Sequence, residues 1–188
     1  MSKSTVLTLV GSLRADSHNK KLAEAIQLNA PENIEVQIHD SLGTIPFYNE
    51  DIDVEGQVPA EAAALRAAAA NADTLLLVTP EHNGTMPASL KNAIDWLSRP
   101  YGAGALSGKP TAVVGTAFGQ FGGVWAQDEA RKAVGIAGAK VLDEVKLAVP
   151  GSMIRFAELH PKDDAEVVEQ IKGVFEALDA ARTAAAAA

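Results

Sequence analysis

Apolar and polar residues follow two periods along this chain, and together these predict strands that alternate regularly with helices. A continuous apolar run such as 74–79 (TLLLVT) is typical of a strand buried on both faces of a parallel sheet. Apolar residues three and four positions apart, as at Leu22, Ala23, Ile26 and Ala30, are typical of a helix with one buried face. The predicted strands are 5–10, 34–38, 74–79, 111–115 and 140–147, and the predicted helices begin near 19, 59, 89, 124 and 163.

This alternation predicts an α/β fold, a doubly wound five-stranded parallel sheet with helices on both faces. The second strand, 34–38, alternates apolar and polar residues, so we expect it at or near an edge. Right-handed crossovers then favour the strand order 2-1-3-4-5. In that order the direction of winding changes between strands one and three. The loops after strands one, three and four are therefore expected to meet at one crevice.

The length of the chain predicts a single domain, 1–188, whose alanine-rich end, about 183–188, is a frayed tail with nothing to pack against.

Ser89 or a neighbour is expected to cap the helix that runs through the middle of the chain. Trp96 lies off the apolar stripe of that helix. We therefore expect Trp96 to point away from the core, where the 101–108 connector or a second subunit would cover it.

Composition narrows the classes of function. A net charge of −8 argues against a broad nucleic-acid or anionic-membrane surface. Cysteine is absent, which excludes disulfides, thiolate metal sites and a cysteine nucleophile, and the four histidines lack metal-ligand spacing. No apolar run is long enough to span a bilayer, and the first strand, 5–10, leads directly into a polar loop rather than a cleavage site. We expect a cytoplasmic protein without a metal.

The loop after the first strand, 11–19 (GSLRADSHN), combines hydrogen-bond donors at the start of a helix. Free backbone N–H groups and a partial positive charge at a helix N-terminus suit a phosphate monoester, and serine, arginine and asparagine side chains add donors. The loop lacks the G-x-G-x-x-G and G-x-x-x-x-G-K-[ST] patterns of dinucleotide and Walker A sites. A helix cap beside a solvated arginine is the alternative interpretation.

The loop after the third strand, 80–87 (PEHNGTMP), is stiffened by two prolines, and Gly84 permits a close approach or a positive φ. Such a loop can border a flat aromatic ring, over which His82 could stack. The alternative is a strand-to-helix turn with His82 exposed. The pair Glu81–His82 suggests acid–base chemistry, but no motif places a nucleophile or second base beside it, so no catalytic residue is expected.

The loop after the fourth strand, 116–123 (TAFGQFGG), contains three glycines that let backbone N–H groups approach a ligand. Two alternatives remain. The loop could be a flexible turn, or Gly122 and Gly123 could serve tight packing at the entrance of the next helix.

With these motifs in place, the chain resembles the NADPH-dependent FMN reductase family, close to the bacterial flavodoxin-like quinone and chromate reductases. The resemblance extends over nearly the whole chain. It rests on GSLR at 11–14 with SHN at 17–19, PEHN at 80–83, LKNAIDWLSR at 90–99, and Gly119 with the glycine pair at 122–123.

The resemblance implies a flavodoxin-like domain that binds FMN and uses NADPH or NADH as co-substrate. It implies that the FMN phosphate is held by Ser12, Arg14, Ser17 and Asn19, that the ring and ribityl chain are bordered by Pro80, Glu81, His82 and Asn83, and that the pyrimidine end faces Thr116, Ala117, Phe118 and Gly119. Family members are usually homodimers or homotetramers with the flavin near the interface. The family commonly has Tyr where His82 stands and often Ser where Ala117 stands, so stacking, substrate preference and pH dependence are open.

The expected function is an FMN-dependent NAD(P)H oxidoreductase that reduces quinones or similar small acceptors, such as flavins, chromate, azo dyes or ferric compounds. In the expected ping-pong sequence, nicotinamide delivers a hydride to the flavin and leaves before the acceptor binds. Two alternatives remain: a flavodoxin-like electron carrier to a protein partner, and a flavin-binding structural or regulatory module. Steady NADPH oxidation with a quinone and no helper reductase would distinguish the enzyme from both.

Overall fold

The computed structural model describes residues 3–39 and 41–186 and has the predicted architecture, a parallel sheet between two helical layers. The strands are β1 (Ser4–Val10), β2 (Ile34–His39), β3 (Thr74–Val78), β4 (Pro110–Thr116), β5 (Lys140–Val141) and β6 (Ala148–Val149). The helices are α1 (His18–Leu28), α2 (Ala60–Asn71), α3 (Ala88–Leu97), α4 (Val124–Ile136), α5 (Ser152–Arg155) and α6 (Ala165–Ala186). Short 3₁₀ turns lie at Leu42–Thr44, Glu50–Ile52 and Pro161–Asp163.

The strand order β2-β1-β3-β4-β5 confirms the predicted topology, and all these pairs are parallel. Every residue of β3 is buried, as its continuous apolar run predicts for a central strand. In β2, Ile34 and Val36 are buried whereas Glu35 and Gln37 are exposed, so the alternating strand lies at the edge.

Two apolar cores lie on opposite faces of the sheet. Successive residues of β1 point to opposite faces, so Val6 packs with α1 and α6 while Leu7 packs with α2, α3 and α4. The two cores hold the sheet rigidly from both sides. The loops at the carboxyl ends of its strands therefore rest on a fixed frame.

The fifth strand differs from its prediction. The sequence predicted one strand over 140–147, but β5 and β6 each pair with β4 and the chain between them leaves the sheet. The buried Arg131 of α4 explains the gap, because its guanidinium donates to the carbonyl oxygens of Val113 (2.9 Å) and Val145 (3.0 Å). The arginine thereby fills the space that a continuous strand would occupy.

The last helix is longer than predicted. It begins at Ala165, where Asp164 Oδ1 accepts the N–H groups of Glu166 and Val167, and it continues to Ala186. The backbone of 183–186 is helical, and the frayed tail over about 183–188 stays a prediction. Residues 187–188 lie outside the described residues. Helix α5 was not predicted.

Within residues 3–39 and 41–186, none of the helices combines the length and the apolar character that crossing a bilayer requires.

Candidate functional site

Three loops meet at the carboxyl ends of β1, β3 and β4, as the topology predicted. We call them loop 1 (11–17), loop 2 (79–87) and loop 3 (117–123). Loops 1 and 2 are joined through α3, since the Ser89 hydroxyl donates to the Gly11 carbonyl oxygen at 2.8 Å. A side chain at Gly11 would place its Cβ 2.8 Å from Pro87 Cγ, so the close approach of the two loops requires glycine. The predicted capping role of Ser89 is wrong, because α3 begins after Pro87 without a side-chain cap.

In loop 1, Ser17 is buried and caps α1. Its Oγ accepts the Lys20 N–H at 3.3 Å, which leaves the hydroxyl hydrogen available to donate to a ligand. Arg14 is exposed and donates one N–H to the Asp16 carbonyl oxygen at 2.9 Å. Ser12 is partly exposed. These groups fit a phosphate, because the set contains a guanidinium, two hydroxyls and a helix N-terminus.

Asn19 joins the start of α1 to the end of β4. Its Nδ2 donates to the Thr116 carbonyl oxygen at 2.8 Å, and its Oδ1 accepts the Thr116 N–H at 3.0 Å. Both groups of the side chain are thus occupied by backbone, although the amide retains a second N–H. A direct contact between Asn19 and a phosphate stays a prediction. What the structure shows is that Asn19 fixes the distance between loops 1 and 3.

In loop 2, Glu81 serves the neighbouring helix. Its Oε2 accepts the N–H of Ala126 in the first turn of α4 at 3.2 Å, where a negative charge is favoured by the helix dipole. Pro80, just before it, is partly exposed. The carboxylate therefore links loop 2 to the helix that follows loop 3, and Glu81 has a structural role.

The tip of loop 2 is a tight turn in which His82 and Thr85 exchange backbone hydrogen bonds of 2.9 and 3.1 Å. Asn83 (φ 53°) and Gly84 (φ 77°) occupy its two central positions, and both have the left-handed conformation that asparagine and glycine tolerate best. The turn fixes the backbone of His82 and Asn83 while their side chains remain exposed.

Loop 3 divides into a buried and an open part. Thr116 belongs to β4, and its hydroxyl donates to Val149 at 2.7 Å. Ala117 is held to the chain beyond β6, since its carbonyl oxygen accepts the Ser152 N–H at 3.0 Å. Phe118 and Gly119, by contrast, are exposed, and a Cβ added at Gly119 would meet nothing within 4 Å. The backbone of loop 3 is therefore accessible from 118 onward.

The glycine pair has a packing role. A Cβ on Gly122, whose φ is 63°, would lie 2.5 Å from the Ala148 carbonyl carbon, and Gly123 is the N-cap of α4 with a φ of 81°. Of the two alternatives for this pair, the structure supports tight packing.

The LKNAIDWLSR motif holds a segment that the sequence reasoning missed, 45–48. Asn92 Oδ1 accepts the Tyr48 N–H at 2.8 Å, and its Nδ2 donates to Pro46 at 3.0 Å. Trp96 is fully buried, with its indole N–H donating to the same Pro46 carbonyl oxygen at 2.8 Å. The expectation of an exposed Trp96 at a subunit contact is therefore wrong, because the irregular 41–58 segment covers this side of α3. The aromatic pair Phe47–Tyr48 was the available signal.

An ion pair fastens the same segment further along. Arg66 of α2 forms a two-pronged bond with the Asp53 carboxylate at 2.6 and 2.7 Å and lies 5.1 Å from the centre of the Trp96 ring. The hydrogen bonds from Arg66 lower the pKa of Asp53.

Charge is distributed unevenly around loop 1. Asp16 is paired with Lys21 at 2.5 Å, and the hydrogen bond from Lys21 lowers the pKa of its carboxyl group. Burial, with a further contribution from Lys21, lowers the pKa of His18. Among the described residues, this pairing leaves Arg14 in loop 1 and Lys20 in the first turn of α1 as cations without a carboxylate partner.

The chain is similar to known proteins in both sequence and structure. The family model for NADPH-dependent FMN reductase matches residues 4–153. A quinone reductase of Pseudomonas putida is 46% identical over 131 residues, 69% of each chain, and one of Escherichia coli is 38% identical over 142 residues, 76% of this chain and 75% of the other. The structure of FerB, a flavoenzyme NAD(P)H:(acceptor) oxidoreductase from Paracoccus denitrificans, superposes with a TM-score of 0.78 at 30% identity over 96% of both chains.

The match covers β1 to β6 and ends within α5, so it includes all three loops and the LKNAIDWLSR motif. The flavodoxin-like fold, FMN as cofactor and an NAD(P)H-dependent oxidoreductase activity follow from it. The chain belongs to the NADPH-dependent FMN reductase family.

Proposed function

We propose that this enzyme uses NAD(P)H to reduce quinones or similar small acceptors at a site formed by loops 1, 2 and 3. The observation that carries the proposal is the joining of these loops by Ser89, Asn19 and Glu81 into one frame with an open rim. Bound there, FMN would supply the redox chemistry, which is hydride acceptance from nicotinamide and electron transfer to the acceptor. The quinone reductase names of the curated relatives support the choice of acceptor.

The proposed role of each residue follows from whether its hydrogen-bonding groups are available to a ligand. The FMN phosphate is bound by the N-terminus of α1 together with Ser12, Arg14 and Ser17, whose side chains are exposed or retain a donor without a partner. The rigid backbones of 80–83 and 117–119 border the ring system. Asn19, Glu81 and Thr116 act mainly as positioning residues, because their side chains are bonded to backbone.

The rim of loop 3 is apolar and suits flat, uncharged acceptors. Phe118 is 66% exposed, and Phe121 and Trp125 are each 54% exposed, with ring centres 5.6 Å apart. Exposed aromatic side chains offer stacking surface at low conformational cost. We propose that this rim receives the acceptor after the nicotinamide has left.

The test is NADPH oxidation by the purified, FMN-loaded protein with a water-soluble benzoquinone, without oxygen or a second reductase. The proposal expects steady turnover that requires both FMN and quinone, with parallel double-reciprocal lines. Turnover only on addition of another reductase would indicate an electron carrier instead.

A pair of variants localises the acceptor site. Phe118→Ser should raise KM for the quinone while leaving FMN affinity unchanged. Leu28→Ser removes an equally exposed (66%) side chain at the far end of α1 and should change neither. Equal effects of the two variants would argue against the rim.

We further propose a homodimer or homotetramer. A groove of about 720 Å³ between α3, α4 and the 101–108 connector supports it, since the exposed Tyr101 and Ile136 are among its lining residues. Light scattering measures the mass, and a monomer at micromolar concentration would contradict the proposal. A cytoplasmic location stays a prediction.

A further inference from the structure

Asn83 and Gly84 form an asparagine–glycine pair at the tip of loop 2, and the sequence contains no other such pair. In a pair of this kind the backbone nitrogen of the glycine can attack the carboxamide of the asparagine and close a five-membered succinimide ring. Glycine favours the attack because it has no Cβ to obstruct the approach. The tip of loop 2 is therefore a chemically reactive point in the backbone.

Both reacting groups are exposed and have no hydrogen-bond partner. The two backbone hydrogen bonds of the turn are made by His82 and Thr85, which flank the pair. Within the described residues, neither the Gly84 N–H nor the Asn83 carboxamide forms a hydrogen bond, and both residues are exposed. A Cβ added at Gly84 would meet nothing within 4 Å, so the space around the pair is open to water.

Asn33 shows what distinguishes the pair from an exposed asparagine elsewhere. Asn33 is also exposed, but it precedes Ile34, whose backbone N–H donates to the Pro31 carbonyl oxygen at 2.9 Å. That nitrogen would have to lose its hydrogen bond before it could attack, and the β-branched side chain crowds the approach. Exposure alone is thus shared, whereas the free glycine nitrogen belongs to Asn83.

We infer that Asn83 is a site of spontaneous deamidation. The Gly84 nitrogen forms a bond to Asn83 Cγ, the bond from Cγ to the amide nitrogen breaks, and ammonia leaves with the proton of the Gly84 N–H. Water then opens the succinimide. Attack of water at Cγ leaves aspartate, and attack at the backbone carbonyl carbon leaves isoaspartate. The reaction needs only water, and neither an oxidant nor a reductant takes part.

The consequence for the site rests on the proposed function, in which the backbone of 80–83 borders the flavin ring. Closing the succinimide requires rotation about the Cα–C bond of Asn83, and a ring packed against the turn would resist that rotation. Either product adds a carboxylate at the rim of the site. Isoaspartate also adds one carbon to the backbone between the two residues that make the hydrogen bonds of the turn.

The test follows the Asn83 amide during incubation of the protein at mildly alkaline pH, with and without FMN. Peptide mass spectrometry should show the mass change of deamidation at Asn83 but not at Asn33, and an isoaspartate methyltransferase should label the product. FMN should slow the reaction. Gly84→Ala and Asn83→Gln, which block the glycine nitrogen and enlarge the ring to be closed, should each retain the amide at 83.

Asn83→Asp reproduces the added charge in fresh protein. Its KM for a benzoquinone sulfonate should rise about twofold, the effect of one exposed charge, while its KM for unsubstituted benzoquinone stays unchanged. An equal change for the two acceptors would contradict the proposed effect of the charge.

An intact Asn83 amide in the aged apoprotein, or equal loss of amide at Asn33 and Asn83, would overturn the inference. Formation of aspartate without isoaspartate, at the same rate in Gly84→Ala, would show direct hydrolysis instead of a succinimide and would also overturn it. The proposed function fails separately. Equal rates with and without FMN would argue against a flavin beside loop 2, and absence of quinone turnover in fresh wild type would argue against the enzyme, while the mass spectra still decide the modification.

Discussion

Replacing Asn19 with alanine tests how the site is assembled. The substitution removes two hydrogen bonds and leaves the N–H and carbonyl groups of the buried Thr116 without their partner side chain. An unsatisfied buried polar group costs about 1–3 kcal/mol. Water that enters the space left by the amide relieves part of this cost. We therefore expect Asn19→Ala to lower the free energy of unfolding of the apoprotein by about 2–4 kcal/mol.

The assay is urea unfolding followed by circular dichroism, first without FMN and then with FMN in excess. Bound FMN adds RT ln(1 + [FMN]/Kd) to the free energy of unfolding, so the difference between the two curves reports affinity. Asn19→Ala should lower both the apoprotein stability and this FMN increment, because loops 1 and 3 lose their fixed spacing. Arg14→Ala is the matched control. Arg14 is exposed, and its one hydrogen bond among the described residues goes to the Asp16 carbonyl oxygen, so its loss should leave the apoprotein within about 0.5 kcal/mol of the wild type.

The reasoning would be refuted by an Asn19→Ala apoprotein as stable as the wild type. That result, combined with a lost FMN increment, would mean that the link to Thr116 contributes nothing and that Asn19 acts through the phosphate directly.

Three further predictions concern single side chains. Arg14→Ala should weaken FMN binding by about one to two orders of magnitude, the loss expected for a charge-assisted contact of about 1.5–3 kcal/mol, and unchanged affinity in a fluorescence titration would remove the phosphate from loop 1. The exposed His82 lies at the tip of loop 2, beside the place proposed for the ring, so His82→Tyr should change KM for the acceptor at equal FMN affinity; identical acceptor kinetics would leave His82 without a role. Asp53→Asn should destabilise the protein above about pH 5. Because the Asp53 pKa is lowered in the folded state, that deficit should shrink as pH falls below the ordinary carboxyl pKa of 3.8, and a pH-independent deficit would contradict the bond to Arg66.

The fold followed from the sequence because strand burial and strand order both depend on local patterns. The continuous apolar run of β3 and the alternation in β2 assign a central and an edge strand. The winding rules then bring the three loops together. The prediction of strand five was wrong because the path of that segment depends on Arg131, which is distant in sequence. Its guanidinium donates to carbonyl oxygens that would otherwise accept hydrogen bonds from a neighbouring strand.

The site was predicted as a set of ligand contacts, and the structure shows that part of this set holds the site together. Asn19, Glu81 and Thr116 are all bonded to backbone of another element. A motif marks such residues as important without telling whether they bind the ligand or position those that do. Trp96 was misplaced for a related reason, because an irregular segment that packs over a helix leaves no periodic signal to extend its apolar stripe.

The most direct test of the central claim is a crystal structure of the protein with FMN. The account predicts the phosphate within hydrogen-bond distance of Ser12, Arg14 and Ser17, the ring between 80–83 and 117–119, and the Asn19–Thr116 bonds intact. A phosphate that lies away from loop 1, or a ring system that lies away from loops 2 and 3, would contradict it.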